Sequence, residues 1–187
     1  MKAFNRMIFA ILCLHANLLG CSTEQFRAEP EAVIKAQDLV DQGTVYLRLG
    51  DLDRARSSFE VAWDLARLSA ALDGLGCVAF LSGDLELAQA RFIKAYEMNP
   101  DSAEPIANLA LLYDAVGDKT HAEKLYRFAI KLDPDNYRAR NNLGALIGDK
   151  GQLLRSREYK YRAKAELLRA QALADSPLIS ENLERLE

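Results

Sequence analysis

Residues 103–136 read AEPIANLALLYDAVGDKTHAEKLYRFAIKLDPDN, and residues 69–102 read SAALDGLGCVAFLSGDLELAQARFIKAYEMNPDS. The second stretch is the first pattern written once before. Gly83 answers Gly117, Ala88 answers Ala122, Phe92 answers Tyr126, Ala95 answers Ala129 and Pro100 answers Pro134, each 34 residues on (117 − 83 = 34). Inside one copy, Leu72, Leu75, Gly76 and Ala79 fall at i, i+3, i+4 and i+7, the stripe of an amphipathic helix. Ala88, Phe92, Ala95 and Met98 make the stripe of a second helix. Gly83 stands between them, where a helix end favours a residue that tolerates positive φ. Asp84 follows and can cap the next helix. Gly50–Asp51 and Gly117–Asp118 repeat the device. Small residues recur where paired helices must touch closely, Gly76 with Ala88 and Ala110 with Ala122. Pro100 and Pro134 lack the N–H that would continue a helix, so each closes a unit.

Working outward, residues 36–69 form an earlier unit through Leu39, Gly43, Tyr46, Gly50, Ala55, Phe59, Ala62 and Leu65. Its step to the next copy is one residue short (83 − 50 = 33), and Arg67 stands where proline would be, so a tighter or differently shaped turn is expected there. Trp63 lies outside the core stripe of its helix and is expected to pack on a neighbour. Residues 137–170 form a degenerate last unit through Leu143, Gly144, Gly151, Ser156 and Ala163. Arg140 and Lys160 replace the apolar and aromatic residues of the other copies, as the wetted end of a stack requires. Its second helix is expected from about Leu153 to Ala174. Arg155, Arg157, Lys160, Arg162, Lys164 and Arg169 make that helix basic, which suits a solvated face or attraction to anionic lipid or an acidic partner. In the tail, 171–187, Ser176–Pro177 reads as a helix start. Ile179, Leu183 and Leu186 predict a short capping helix.

The period and the pattern Leu109, Ala110, Tyr113, Gly117, Ala122, Tyr126, Ala129, Pro134 resemble the tetratricopeptide repeat family. The resemblance implies an all-α solenoid of three to four helix-turn-helix repeats over residues 31–187, with a C-terminal capping helix. It also implies that the first helices line a concave groove that takes a protein partner, as an extended segment or an amphipathic helix. Carried over position by position, the groove residues are Val40, Thr44, Leu47 and Arg48 in the first unit. Asp73, Cys77, Phe80 and Leu81 come from the second, Leu111 and Asp114 from the third, and Arg138 and Asn141 from the fourth. The amino-terminal helix or the tail after Pro177 is the rival occupant. Asn108 and Asn142 stand nearby, but the lysines with which some members clamp a terminal carboxylate are missing, so that ligand is not expected.

Before the repeats the chain has a different character. Lys2 and Arg6 precede an apolar run from Met7 to Leu19, shorter than the roughly 20 residues a spanning helix needs. Leu18-Leu19-Gly20-Cys21 follows and resembles a bacterial lipobox. The resemblance implies a lipoprotein signal peptide over residues 1–20, a thioether-linked diacylglycerol with an N-acyl chain on Cys21, and a short tether over 21–30. An ordinary signal peptide with an incidental cysteine is the rival reading. Ser22, rather than aspartate, after that cysteine implies the outer membrane, periplasmic side, over the inner membrane. Of the three cysteines, Cys13 would leave with the signal peptide and Cys21 would be acylated. Cys77 alone is then free, and on a helix it reads as an apolar filler.

The composition narrows the chemistry. Half the residues are hydrophobic and the net charge is −3, so no basic surplus points to nucleic acid. Beyond the signal peptide His121 is the single histidine, which excludes a two-histidine metal site. The glycines sit at helix ends rather than in a phosphate-cradling loop. No catalysis, no metal, no small-molecule substrate and no cofactor beyond the covalent lipid on Cys21 is expected. The functional expectation is a lipid-anchored periplasmic adaptor. Pilotin-like help to a secretin, or to a type IV or tight-adherence pilus, and a scaffold for cell-wall enzymes are the alternatives.

Overall fold

A computed structural model describes residues 28–187. The expected signal peptide, the acylation of Cys21 and most of the tether lie outside the described residues. Those residues form helices joined by short turns: α1 (Pro30–Arg48), α2 (Leu52–Ala66), α3 (Ser69–Leu81), α4 (Leu85–Met98), α5 (Glu104–Ala115), α6 (Lys119–Leu132), α7 (Tyr137–Leu153), α8 (Arg157–Leu173) and α9 (Pro177–Glu184). The first eight pack as successive pairs, and each pair leans on the next. The first helices also touch one another, α1 with α3, α3 with α5 and α5 with α7, whereas the second helices of neighbouring pairs do not. The stack therefore curves, with α1, α3, α5 and α7 on its inner face.

The corners show how the sequence makes the pairs. Gly50, Gly83 and Gly117 take φ of 75°, 84° and 87°, the left-handed region that costs a residue with a side chain about 1–2 kcal/mol. Asp51, Asp84 and Asp118 then cap the following helices, their carboxylates accepting from the backbone N–H of Arg54, Leu87 and His121 at 3.1 Å each. Each such cap is worth about 1 kcal/mol. The same backbone bond closes every corner, from Asp51 N–H to Tyr46, Asp84 to Ala79 and Asp118 to Tyr113. Between α2 and α3 the missing residue is absorbed differently. Arg67 itself turns left-handed (φ 49°), with its guanidinium 4.9 Å from the Trp63 ring centre. Trp63 packs against the first core cluster.

One large side chain per pair, on the second helix, plugs a small-residue hole on the first. Phe59, Phe92, Tyr126 and Leu167 are each no more than 2% exposed. A Cβ added to Gly43 would come within 2.7 Å of the Phe59 ring, and one added to Gly76 within 2.5 Å of the Phe92 ring; Gly74, on the first helix of the next pair, closes on the Phe59 ring from the other side at 2.4 Å. Tyr126 pays a polar cost for the same place. Its hydroxyl is buried with no partner at hydrogen-bonding geometry, although Asn142 comes close enough to favour the ionised form slightly against the burial that opposes it.

The last pair departs from the sequence reading. Gly151 does not form the corner: it lies buried inside α7, and a Cβ there would sit 3.0 Å from that of Tyr159. The corner comes four residues later at Arg155 (φ 50°), closed by the equivalent bond from Ser156 N–H to the Gly151 carbonyl. Accordingly α8 begins at Arg157, not near Leu153. Nor does Lys160 occupy the aromatic place. The buried stripe of α8 is Ala163, Leu167 and Ala170, the spacing of Ala122, Tyr126 and Ala129 displaced by 41 residues (167 − 126 = 41). The unit has gained seven residues over the usual 34. Two helical turns hold about 7.2 residues, so the insertion lengthens the pair and returns nearly the same face to the core.

The tail closes the stack. Pro177 starts α9 behind Ser176, whose side chain makes no capping bond. Ile179 and Asn182 are buried, and α9 packs on both α7 and α8.

Candidate partner-binding groove

On the inner face the first helices enclose a cavity of about 700 Å³. Val40, Thr44, Leu47 and Arg48 line it from α1, Asp73, Cys77 and Leu81 from α3, Leu111 from α5 and Arg138 from α7. All of these were expected from the sequence. The other three expected residues lie elsewhere. Phe80 turns sideways into the core cluster of Ala79, Ala88, Phe92, Leu109 and Leu112, because that seam lies between the second and third pairs. Asp114 is occupied at the next corner, where Lys119 donates its ammonium to the Asp114 carboxylate and backbone carbonyl. Asn141 is buried and accepts from Asn182 of α9 at 3.0 Å. The tail thus covers the far end of the inner face, where Arg185 also pairs with Asp149 at 2.8 Å and Leu186 packs over Gly148.

The groove's centre is polar in a way the sequence did not announce. Asn108 reaches across from α5, and its amide nitrogen stands 3.0 Å from each oxygen of the Asp73 carboxylate. Asn142 and Glu104 line the cavity too. Asp73 is recessed but not sealed. Burial pushes its pKa to about 7, with Glu104 adding to the rise and the Asn108 bond opposing it. Burial and the neighbouring Asp73 also push the Cys77 thiol well above its usual range, while Arg138 opposes them. Cys77 is therefore held as a thiol, a poor nucleophile. A sequence signal for the amides did exist: Asn108 and Asn142 are one period apart (142 − 108 = 34).

The result is a trough with an apolar floor, a row of side-chain amides and a carboxylate at its centre, and Arg48 and Arg138 at its sides. Such a surface can hydrogen-bond the backbone of an extended segment while its apolar floor takes alternate side chains. His121 lies away from it, exposed, with its ring nitrogen 2.6 Å from Asp118. No group of His, Cys, Asp or Glu among the described residues is placed to hold a metal ion.

The tetratricopeptide repeat family matches residues 103–136, which are α5, α6 and their flanking turns. That unit is a tetratricopeptide repeat. Two solved structures extend the tetratricopeptide fold over the described chain. One is a tetratricopeptide protein, TTC0263 of Thermus thermophilus, 22% identical, with a TM-score of 0.67 over 81% of this chain and 80% of that one. The other is PilF of Pseudomonas aeruginosa, 18% identical, with a TM-score of 0.66 over 83% and 69%. At these identities they speak for the fold alone. Among curated proteins, the BBSome complex member BBS4 of Bos taurus is 30% identical over 109 residues, 58% of this chain. The chain spans only 21% of that relative's length. A tetratricopeptide solenoid is in general a surface for protein–protein contact rather than a catalyst.

Proposed function

We propose that this chain is a non-catalytic adaptor, anchored to a membrane by lipid on Cys21, which holds a segment of a partner protein in its concave groove. The groove itself carries the reading. An open trough of this size, with polar groups aligned along an apolar floor, suits a peptide segment. Lipidation, the outer-membrane location and the periplasmic side rest on the lipobox-like order at the amino terminus. One acyl chain binds a membrane weakly, whereas two or more hold it stably. The mechanism is tethering: anchoring raises the effective concentration of the groove for partners at that surface. Pilotin-like assistance to secretin or pilus assembly is the second reading, favoured by the succession of lipobox, short tether and repeats. A scaffold for cell-wall enzymes would use the same parts.

A photo-crosslinker tests the groove in cells. Leu81, 55% exposed in the groove, should trap a discrete partner when replaced by the crosslinking residue. Leu87, 37% exposed on the second helix of the same pair, should not. Equal trapping from both sites, or from neither, overturns the groove. Cys21→Ser tests the anchor separately: the protein should leave the membrane fraction, and unchanged fractionation refutes lipidation.

A further inference from the structure

The groove leaves the outer face of α8 unexplained. Ala163, Leu167 and Ala170 turn that helix's apolar stripe inward, so its opposite face should be wholly polar. Instead Tyr161 is 73% exposed and Leu168 47% exposed, one helical face with Ala165 and Ala172. At the corner that feeds α8, Leu153 and Leu154 are 83% and 55% exposed. Leu153 lines a cavity with Lys119, Glu123 and Lys124 of α6. Cations flank the outward stripe on both sides: Arg157 and Lys164 along one edge, Arg162 and Arg169 along the other, with Arg155 at the corner. Arg169 pairs with Glu166, and Arg162 lies over the Tyr159 ring. Arg155, Arg157 and Lys164 have no ion pair within 4.0 Å among the described residues. Glu158 is the lone acid facing outward on the helix, because Glu166 is turned toward Arg140 at 2.8 Å. This surplus stands on a chain whose net charge is −3.

A leucine and tyrosine stripe between two rows of cations has the form of a helix that lies in a bilayer interface. The apolar groups enter the headgroup boundary while the long basic side chains reach back to the phosphates. Each cation near an anionic membrane surface contributes an attraction that salt screens. We propose that the outer face of α8 docks on an anionic lipid surface. The docking fixes the orientation of the solenoid at the membrane, which a lipid anchor at Cys21 alone would leave free.

The full chain carrying Tyr161→Trp tests this with vesicles of brominated phosphatidylglycerol or brominated phosphatidylcholine. Bromine quenches a tryptophan that enters the headgroup boundary, and the wild-type chain, with Trp63 alone, supplies the background. We expect at least a twofold loss of the introduced tryptophan's emission on phosphatidylglycerol and none on phosphatidylcholine. Adding Arg157→Glu, Arg162→Glu and Lys164→Glu, all exposed positions, should abolish the loss while circular dichroism shows unchanged helix content. Absence of quenching on phosphatidylglycerol overturns the proposal and leaves an acidic protein as the partner of this face. Equal quenching on both lipids, or quenching that survives the three substitutions, also overturns it.

Discussion

The side-chain amide of Asn182 in α9 donates to the Asn141 carbonyl oxygen of α7 at 3.0 Å, and both residues are buried. This bond holds the capping helix across the end of the inner face. Asn182→Ala leaves the buried Asn141 side-chain oxygen without its donor, so a loss of about 1–3 kcal/mol is expected. Urea unfolding of the two proteins measures it. No change in midpoint would mean that the Ile179 contacts and the Arg185–Asp149 pair suffice to hold α9.

Two glycines should fail for different reasons. Gly74→Ala places a methyl group 2.4 Å from the buried Phe59 ring, an overpacking expected to cost about 1–3 kcal/mol. Gly83→Ala meets nothing within 4 Å, and its cost, about 1–2 kcal/mol, comes from the φ of 84° alone. Thermal melts should separate them. Phe59→Leu is expected to relieve Gly74→Ala in part and to leave Gly83→Ala unrelieved.

Asp73 gives the fold a pH dependence of definite sign. Its carboxyl titrates at about 7 in the native chain against an ordinary 3.8, chiefly through burial. The native state therefore keeps a proton that the unfolded chain releases. Stability falls as pH rises between those two values and stays low above the upper one. Asp73→Asn should thus exceed wild type in melting temperature at pH 8, and the gap should narrow toward pH 4. Asn108, Glu104, Cys77 and Arg138 surround the group in both proteins, so the difference between the melts isolates Asp73. A gap that does not change with pH would show that Asp73 does not titrate near neutrality.

Tyr126→Phe removes a hydroxyl that is sealed without a formed hydrogen bond. Stability should be unchanged or raised by up to about 1 kcal/mol. A marked loss would mean that Asn142 satisfies the hydroxyl in solution.

The middle repeats were legible because their signals are local and redundant. Glycine at the corner, aspartate beside it, an aromatic plug and a closing proline all report one register. The last repeat lost those signals together. Its corner residue is Arg155 and its plug is Leu167, while Gly151 stands at the period where a corner would be. The step of 41 from Ala122, Tyr126 and Ala129 to Ala163, Leu167 and Ala170 was present in the sequence, masked by that misplaced glycine. In the groove, a position-by-position transfer found the inner faces of α1 and α3. It failed where contacts join different units, as at Phe80, Asn141 and the Asp73–Asn108 pair. Replacing Phe80 with Glu would consequently injure the core rather than probe the groove.

Because α1 touches only α2 and α3, distress at one end of the molecule reaches the other through every intervening layer. Such a chain should come apart by peeling rather than by collapse. Amide exchange would run as a gradient, fastest in the outer turns of α1 and slowest around Phe92 and Tyr126. A partner gripping the middle of the inner face would act as a splint, slowing exchange on both sides of its grip. A partner that held only α1 would leave α8 as it was.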